Sequence, residues 1–222
     1  MRNLSIDYLK VLLAFLVILL HLNILSEINP DIGYILVNGL FRLAVPLFLI
    51  ITGFYFVNVN TIDKFKNWFI RVFILYAIWM IFYSPFWFKI SNLSGIFINA
   101  FMGYFVLWYL IGVIFAGTLL YSLRNVKTSV LLAFALCLYI IGYTMQQIGN
   151  LHLFSGFVDK VLNWHPISRN FIFDCFPFLT IGFLIKKFNI GLKYKPSIII
   201  VLFSIVLVLI ESRLNYVFIS KY

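Results

Sequence analysis

Seven largely apolar runs of about twenty residues pass along this chain: 6–26, 34–57, 67–88, 96–121, 129–148, 169–188 and 196–217. About 20 consecutive apolar residues are what an α-helix needs to cross the hydrocarbon core of a bilayer. Backbone polar groups in that medium have no water to turn to, so a segment patterned this way satisfies them within its own helix. The expected fold is all-α: a polytopic integral membrane protein with about seven transmembrane helices in one domain over 1–222. Composition agrees, with 64% hydrophobic and 11% charged residues. Soluble domains carry about 45–50% and about 25%, and a core of this size cannot hide the excess.

The breaks between runs carry turn chemistry: "SEINPDIG", "NVNTIDK", "KISNLSG", "RNVKTS", "NLHLFSGFVDKVLNWHPIS" and "FNIGLKYKP". The first run is too long for a cleavable signal peptide and no small-residue cleavage site follows it. The two cysteines, Cys137 and Cys175, both lie in apolar runs. They read as small buried hydrophobes rather than as a disulfide or zinc ligands.

The formal charge of +10 would suggest nucleic acid for a soluble chain. Here the cations lie in loops and read as orientation signals, so no nucleic-acid partner is expected. Eleven fall on one side: Arg2, Lys10, Lys64, Lys66, Arg71, Arg124, Lys127, Lys186, Lys187, Lys193 and Lys195. Five fall on the other: Lys89, Lys160, Arg169, Arg213 and Lys221. The positive-inside rule then places the N-terminus in the cytoplasm and the long loop 149–168 outside.

Ionisable groups at membrane depth are expensive and are functional candidates. Lys10 and His21 are eleven residues apart, three helical turns plus about 20°, so they share a helix face. Asp7 lies about 40° from His21, and His21 is about 16 Å along the axis from Lys10. One stripe thus runs from an acid–base pair to an imidazole. The plainer reading of the same stripe is an interhelical histidine and a juxtamembrane salt pair. Arg42 lies inside the second run, ahead of a kinking Pro46 and a close-packing Gly53. Antiparallel packing of the first two spans would bring Arg42 to the depth of His21. It either stabilises charge there or only ties helices together.

Arg71 opens the third span, either snorkelling to the interface or cradling an anion. Arg169 opens the sixth span beside Asn170, with Asp174 about a turn later as its possible partner. Glu211 and Arg213, near the outer end of the last span, are either a local pair or a carboxylate lining the cavity of His21. His152 and His165 read as loop residues, and the tryptophans as interfacial anchors. No two histidines have ligand spacing on one element, so no metal site is expected.

Taken in order, these pieces resemble the family-3 membrane acyltransferases, bacterial O-acyltransferases that decorate surface polysaccharides and cell-wall components. Within that family they look most like the Gram-positive branch that includes the membrane domain of the vancomycin-resistance serine racemase. "IDYLKVLLAFLVILLH" resembles the opening helix, in which a basic residue precedes the histidine by eleven positions. "FRLAVPLFLIITGFYF" resembles the second-helix pattern of Arg and Val-Pro. "RVFILYAIWMIFYSP", "LWYLIGVIFA", "LYIIGY" and "RNFIFDCFPFLTIGFLIKK" resemble the third to sixth helices.

The resemblance implies transfer of an acyl group, usually acetyl from cytoplasmic acetyl-CoA, to a hydroxyl outside. Acyl-CoA is then a donor substrate rather than a bound cofactor. The partners are an extracytoplasmic carbohydrate or cell-wall acceptor and membrane lipid, and the location is the cytoplasmic membrane. Carried over, His21 is the catalytic histidine, as general base or transient acyl carrier, and Arg42 stabilises developing charge. Lys10 takes the family's arginine position near the donor path. Arg71 matches the second arginine of a cytoplasmic pair that engages CoA phosphates, the first falling at Trp68. Asp7, Arg169 and Glu211 are supporting residues. The family core has about ten helices, so this chain is expected to lack the last ones. Two alternatives stay open: a truncated, inactive relative acting as a membrane partner, and a seven-helix transporter.

Overall fold

A segment such as "LSIDYLKVLLAFLVILLHL" has no Gly, Pro or Asn to break it and one way to close its backbone hydrogen bonds in an apolar medium, which is a helix. A computed structural model describes residues 4–22, 29–89, 93–168, 170–190 and 197–219, and among them only helices and the turns between helices occur. Helix α1 is Leu4–Leu22 and the helical run Pro30–Phe56 is α2. Helix α3 is Ile62–Phe82, followed by a short α4 at Ser84–Trp87 and by α5 at Leu93–Met102. Next come α6 (Phe105–Leu123) and α7 (Thr128–Asn150). The long loop 149–168 holds two short helices, α8 (Phe157–Leu162) and α9 (His165–Ser168). The last two helices are α10, residues 171–187, and α11 (Ile198–Ile219).

Six of these are long and apolar enough to cross a membrane, which makes the chain a polytopic helical membrane protein. Two of the seven expected spans differ. The run 96–121 is two helices, because Gly103 breaks it with φ +81°. A Cβ on Gly103 would stand 2.5 Å from the Trp108 nitrogen, so glycine is required there for space as well as for φ. The expected sixth span forms α10, shorter than the other six and largely enclosed by protein. The first span, read as 6–26, is helical to Leu22, and residues 23–26 lie outside the described residues.

The chain divides into two units, residues 1–51 with 189–222 and residues 52–188. In the first, α1 packs against α2 through Leu13, Ala44 and Ile51, with Ile6, Leu9, Leu16, Val17, Leu47 and Phe48 around them. Helix α11 lies along the start of α2. They approach closely at Gly39, where a Cβ would sit 3.2 Å from the Ser212 Cβ.

The second unit is built around α10. Phe176, Leu179 and Thr180 are fully buried, as is Cys175, whereas Cys137 on α7 is exposed. Three glycines let neighbours approach this helix. A Cβ at Gly53 would meet the Leu179 carbonyl oxygen at 1.9 Å, one at Gly112 the Cys175 Sγ at 2.6 Å, and one at Gly142 the Phe173 Cβ at 2.4 Å. Lipid gives helices no hydrophobic reason to associate, so small residues that admit close backbone contact do that work. A second cluster joins α3 to α6 through Tyr76, Met80, Leu107, Ile111 and Ile114. Trp68 is not a simple interfacial anchor: it packs on Gly117 and meets Phe56 edge-on at 4.9 Å.

Thr180 Oγ1 is buried and has no hydrogen-bond partner among the described residues. An unmet buried hydroxyl costs about 1–3 kcal/mol, and valine has the same shape without it. Thr180→Val is expected to raise resistance to denaturation by about 1 kcal/mol, read by SDS titration in bicelles. An unchanged or lower midpoint would refute this.

Candidate functional site

The stripe on α1 forms as its spacing requires. Lys10 Nζ lies 3.7 Å from Asp7 Oδ1, an i,i+3 pair with both side chains partly exposed. The acid occupies the first turn and His21 the last, each at the end of the helix dipole that suits it. Leu13 is the one buried residue of α1, and His21 is exposed.

Arg42 stands on a distorted stretch of α2. Residues Leu36–Leu40 form a π-turn and Phe41–Leu43 a 3-10 turn, before regular α-helix resumes at Ala44. Pro46 has no N–H to give the carbonyl four residues back, which is that of Arg42. The helix accommodates this by changing its winding just upstream of the proline, and such π-turns gather at functional positions. Phe41–Leu43 packs against α1, so the segment bearing Arg42 lies beside the helix bearing His21. Arg42 itself is exposed.

Glu211 is exposed on α11. Its neighbour Arg213 pairs with Asp31 at the start of α2, Nη1 to Oδ2 at 3.6 Å. Asp31 also accepts a hydrogen bond from the Tyr216 hydroxyl at 2.5 Å. Asp31 does not stand out in the sequence, since an acid in a first helical turn reads as dipole complementation.

Arg71 is exposed on α3 in the second unit. The site expected from sequence therefore draws Asp7, Lys10, His21, Arg42 and Glu211 from one unit and Arg71 from the other. Arg169 lies outside the described residues, as do Arg2, Lys193, Lys195 and Lys221 of the charge count.

Its neighbour Asn170 has a clear role. The Asn170 Oδ1 accepts from the Ile172 and Phe173 N–H groups at 2.8 and 3.0 Å. Its Nδ2 donates to the Ile167 and Pro166 carbonyls at 2.9 and 3.1 Å. This is the N-cap of the π-turn Phe171–Cys175 that opens α10, again just ahead of a proline, Pro177. Loss of a cap costs about 0.5–2 kcal/mol. Asn170→Ala is expected near the upper end of that range, and Asn170→Asp, which keeps the acceptor, nearer the lower. Equal unfolding midpoints for wild type and Asn170→Ala would contradict it.

Other cations of the second unit have structural employment. Arg124 donates to the Val59 carbonyl at 3.1 Å and lies 3.8 Å over the Tyr121 ring. Lys186 lies 5.0 Å over Phe54. An apolar cleft of 390 Å³ is lined by α3, α4 and α5, including Tyr76, Met80 and Trp87. Among the described residues no group of three or more His, Cys, Asp or Glu is placed to hold a metal ion.

In the loop, His152 has φ +46° and its Nδ1 lies 3.0 Å from both carboxylate oxygens of Asp159. Asn163 Nδ2 donates to Asp159 Oδ1 at 3.0 Å. His152 is thus tied into the fold, which reading it as a loop residue did not anticipate.

The fold and the placed residues define a class: a multi-pass helical membrane protein with an imidazole and a guanidinium on its first two helices. The model of the acyltransferase domain family matches residues 3–220. The chain belongs to the family-3 acyltransferases. It is also similar to an amino-acid racemase of Enterococcus faecalis, 25% identical over 218 aligned residues that take in 87% of this chain. The match spans about 30% of that racemase's length. No solved structure matches the chain significantly.

Proposed function

We propose that the chain acts as a membrane-bound O-acyltransferase of the cytoplasmic membrane. It moves an acetyl or other short acyl group from cytoplasmic acyl-CoA to a hydroxyl of an extracytoplasmic glycan or cell-envelope acceptor. The observation that carries this reading is α1 itself: the Asp7–Lys10 pair at one end and His21 at the other, with the Arg42 segment packed alongside. In a family of acyltransferases that helix offers a route from a donor side to an acceptor side.

The chemistry assigned to the residues balances simply. The acceptor oxygen attacks the thioester carbonyl and its proton passes to His21, an imidazole that can act as base. Arg42 steadies the oxyanion that develops. The carbon–sulfur bond then breaks, and the CoA thiolate leaves and takes the proton held by His21, which returns the imidazole to its starting form. Lys10 and Arg71, each in its own unit, are cations suited to a phosphate group, Arg71 with the planar fork that phosphate favours. In this reading the N-terminus faces the cytoplasm, in line with the cation asymmetry of the loops.

Radiolabelled acetyl-CoA supplied to the cytoplasmic face of vesicles carrying the chain tests the reading. Label is expected in glycan on the opposite face. Label recovered only as free acetate, or retained in CoA, would refute it.

A further inference from the structure

Helix α1 ends at Leu22 and α2 begins at Pro30. A connection of that length is too short to recross a hydrocarbon core of about 30 Å. His21 and the start of α2 are therefore at one end of the first unit. The end of α11 is there too, since Tyr34 and Tyr216 have ring centroids 5.0 Å apart.

At that end four side chains make a fixed but open surface. Asp31 is held from two directions, by the Tyr216 hydroxyl at 2.5 Å and by Arg213 at 3.6 Å. The side chains of Arg213 and Asp31 nevertheless remain 51% and 54% exposed. A carboxylate has about four acceptor sites and a guanidinium five donors, so one contact or two leave most of their capacity unused. The Tyr34 and Tyr216 rings are inclined at 47°, which makes a shallow aromatic notch beside the charges. Arg213 is also 5.7 Å from the Tyr216 ring, which fixes it over that notch.

The mixture of groups selects the ligand. An anion would face Asp31, a cation would face Arg213, and a hydrocarbon tail would use neither. A neutral polyol uses both: adjacent hydroxyls donate to the carboxylate and accept from the guanidinium. The apolar face of a sugar ring suits a tyrosine surface. We propose that Asp31, Tyr34, Arg213 and Tyr216 form a carbohydrate-binding patch that presents the acceptor at the His21 end of the first unit. The proposal rests on the acyltransferase reading for its purpose, but the binding it asserts is independent of catalysis.

The test is saturation-transfer NMR on the full chain in nanodiscs, with an N-acetylglucosamine tetrasaccharide as the probe. Wild type is expected to transfer saturation to the sugar. Asp31→Asn is expected to weaken binding about tenfold, as for a lost charge-assisted hydrogen bond. Tyr34→Leu, which leaves the Asp31 hydrogen bond and ion pair in place, weakens it by removing one ring of the notch. Arg213→Lys keeps the tie to Asp31 and is expected to retain part of the binding.

Equal saturation transfer in wild type, Asp31→Asn and Tyr34→Leu would overturn the patch, as would no transfer in wild type. Failure of the acyltransferase reading looks different. Label from acetyl-CoA then goes nowhere in wild type while the sugar still binds and the two variants still lose it.

Discussion

His21→Ala abolishes acyl transfer while the chain still inserts in the membrane: that is the largest effect expected here. Removing a positioned general base costs about 10²–10⁴ in rate, and loss of an acyl carrier costs at least as much. The side chain is exposed at the end of α1 and the helix core depends on Leu13, not on position 21. Truncation should therefore leave folding unharmed, and activity and insertion can be read separately. Reconstituted vesicles with matched amounts of wild type and variant give the comparison. Transfer within tenfold of wild type would remove His21 from the chemistry. The same vesicles bear on the two alternatives. An inactive relative shows no transfer in wild type, and a transporter shows solute or proton flux without dependence on CoA.

The second large effect concerns stability. A Cβ at Gly53 would stand 1.9 Å from the Leu179 carbonyl oxygen and 2.8 Å from its carbon. The obstacle is helix backbone, not the end of a flexible side chain, so it cannot rotate away. Overpacking of a tight interface costs about 1–3 kcal/mol, and Gly53→Val should lie at or beyond the upper limit. The SDS concentration at half-unfolding is expected to fall sharply for Gly53→Val and to fall measurably even for Gly53→Ala. A variant as stable as wild type would show that α2 and α10 do not meet as described.

Much of the fold is legible because hydropathy and length are enough to find a helix in a bilayer. The Asp7–Lys10 pair and the shared face with His21 were legible too, since they lie on one helix and follow from 3.6 residues per turn. The unusual winding around Arg42 was signalled by Pro46. Other features leave no such trace. Gly103 breaks a run whose apolar character continues on both sides of it, and a lone glycine in such a run equally well marks helix packing. Hydropathy also cannot separate α10, enclosed by its neighbours, from a lipid-facing helix, because both surroundings are apolar. The pairing of Asp31 with Arg213 and Tyr216 joins the two ends of the sequence, and no spacing rule reaches across that distance. Asn170 was readable in principle, as an asparagine ahead of an apolar run with a proline soon after.

The break at Gly103 has a consequence for the lipid. Helix α5 has ten residues and so rises about 15 Å, half the depth of a typical hydrocarbon core. Its last carbonyls would be stranded there, but the Tyr76 hydroxyl donates to the Ala100 oxygen at 2.7 Å and the Gly103 N–H to the Asn99 oxygen at 2.9 Å. With two of those carbonyls met in this way, α5 makes a wall half the usual height, and the exposed rings of Phe97 and Phe101 project from it. Neighbouring acyl chains must tilt, splay or shorten to meet such a wall. Tail length in the surrounding membrane thus becomes a mechanical variable for this protein, coupled to it through one glycine.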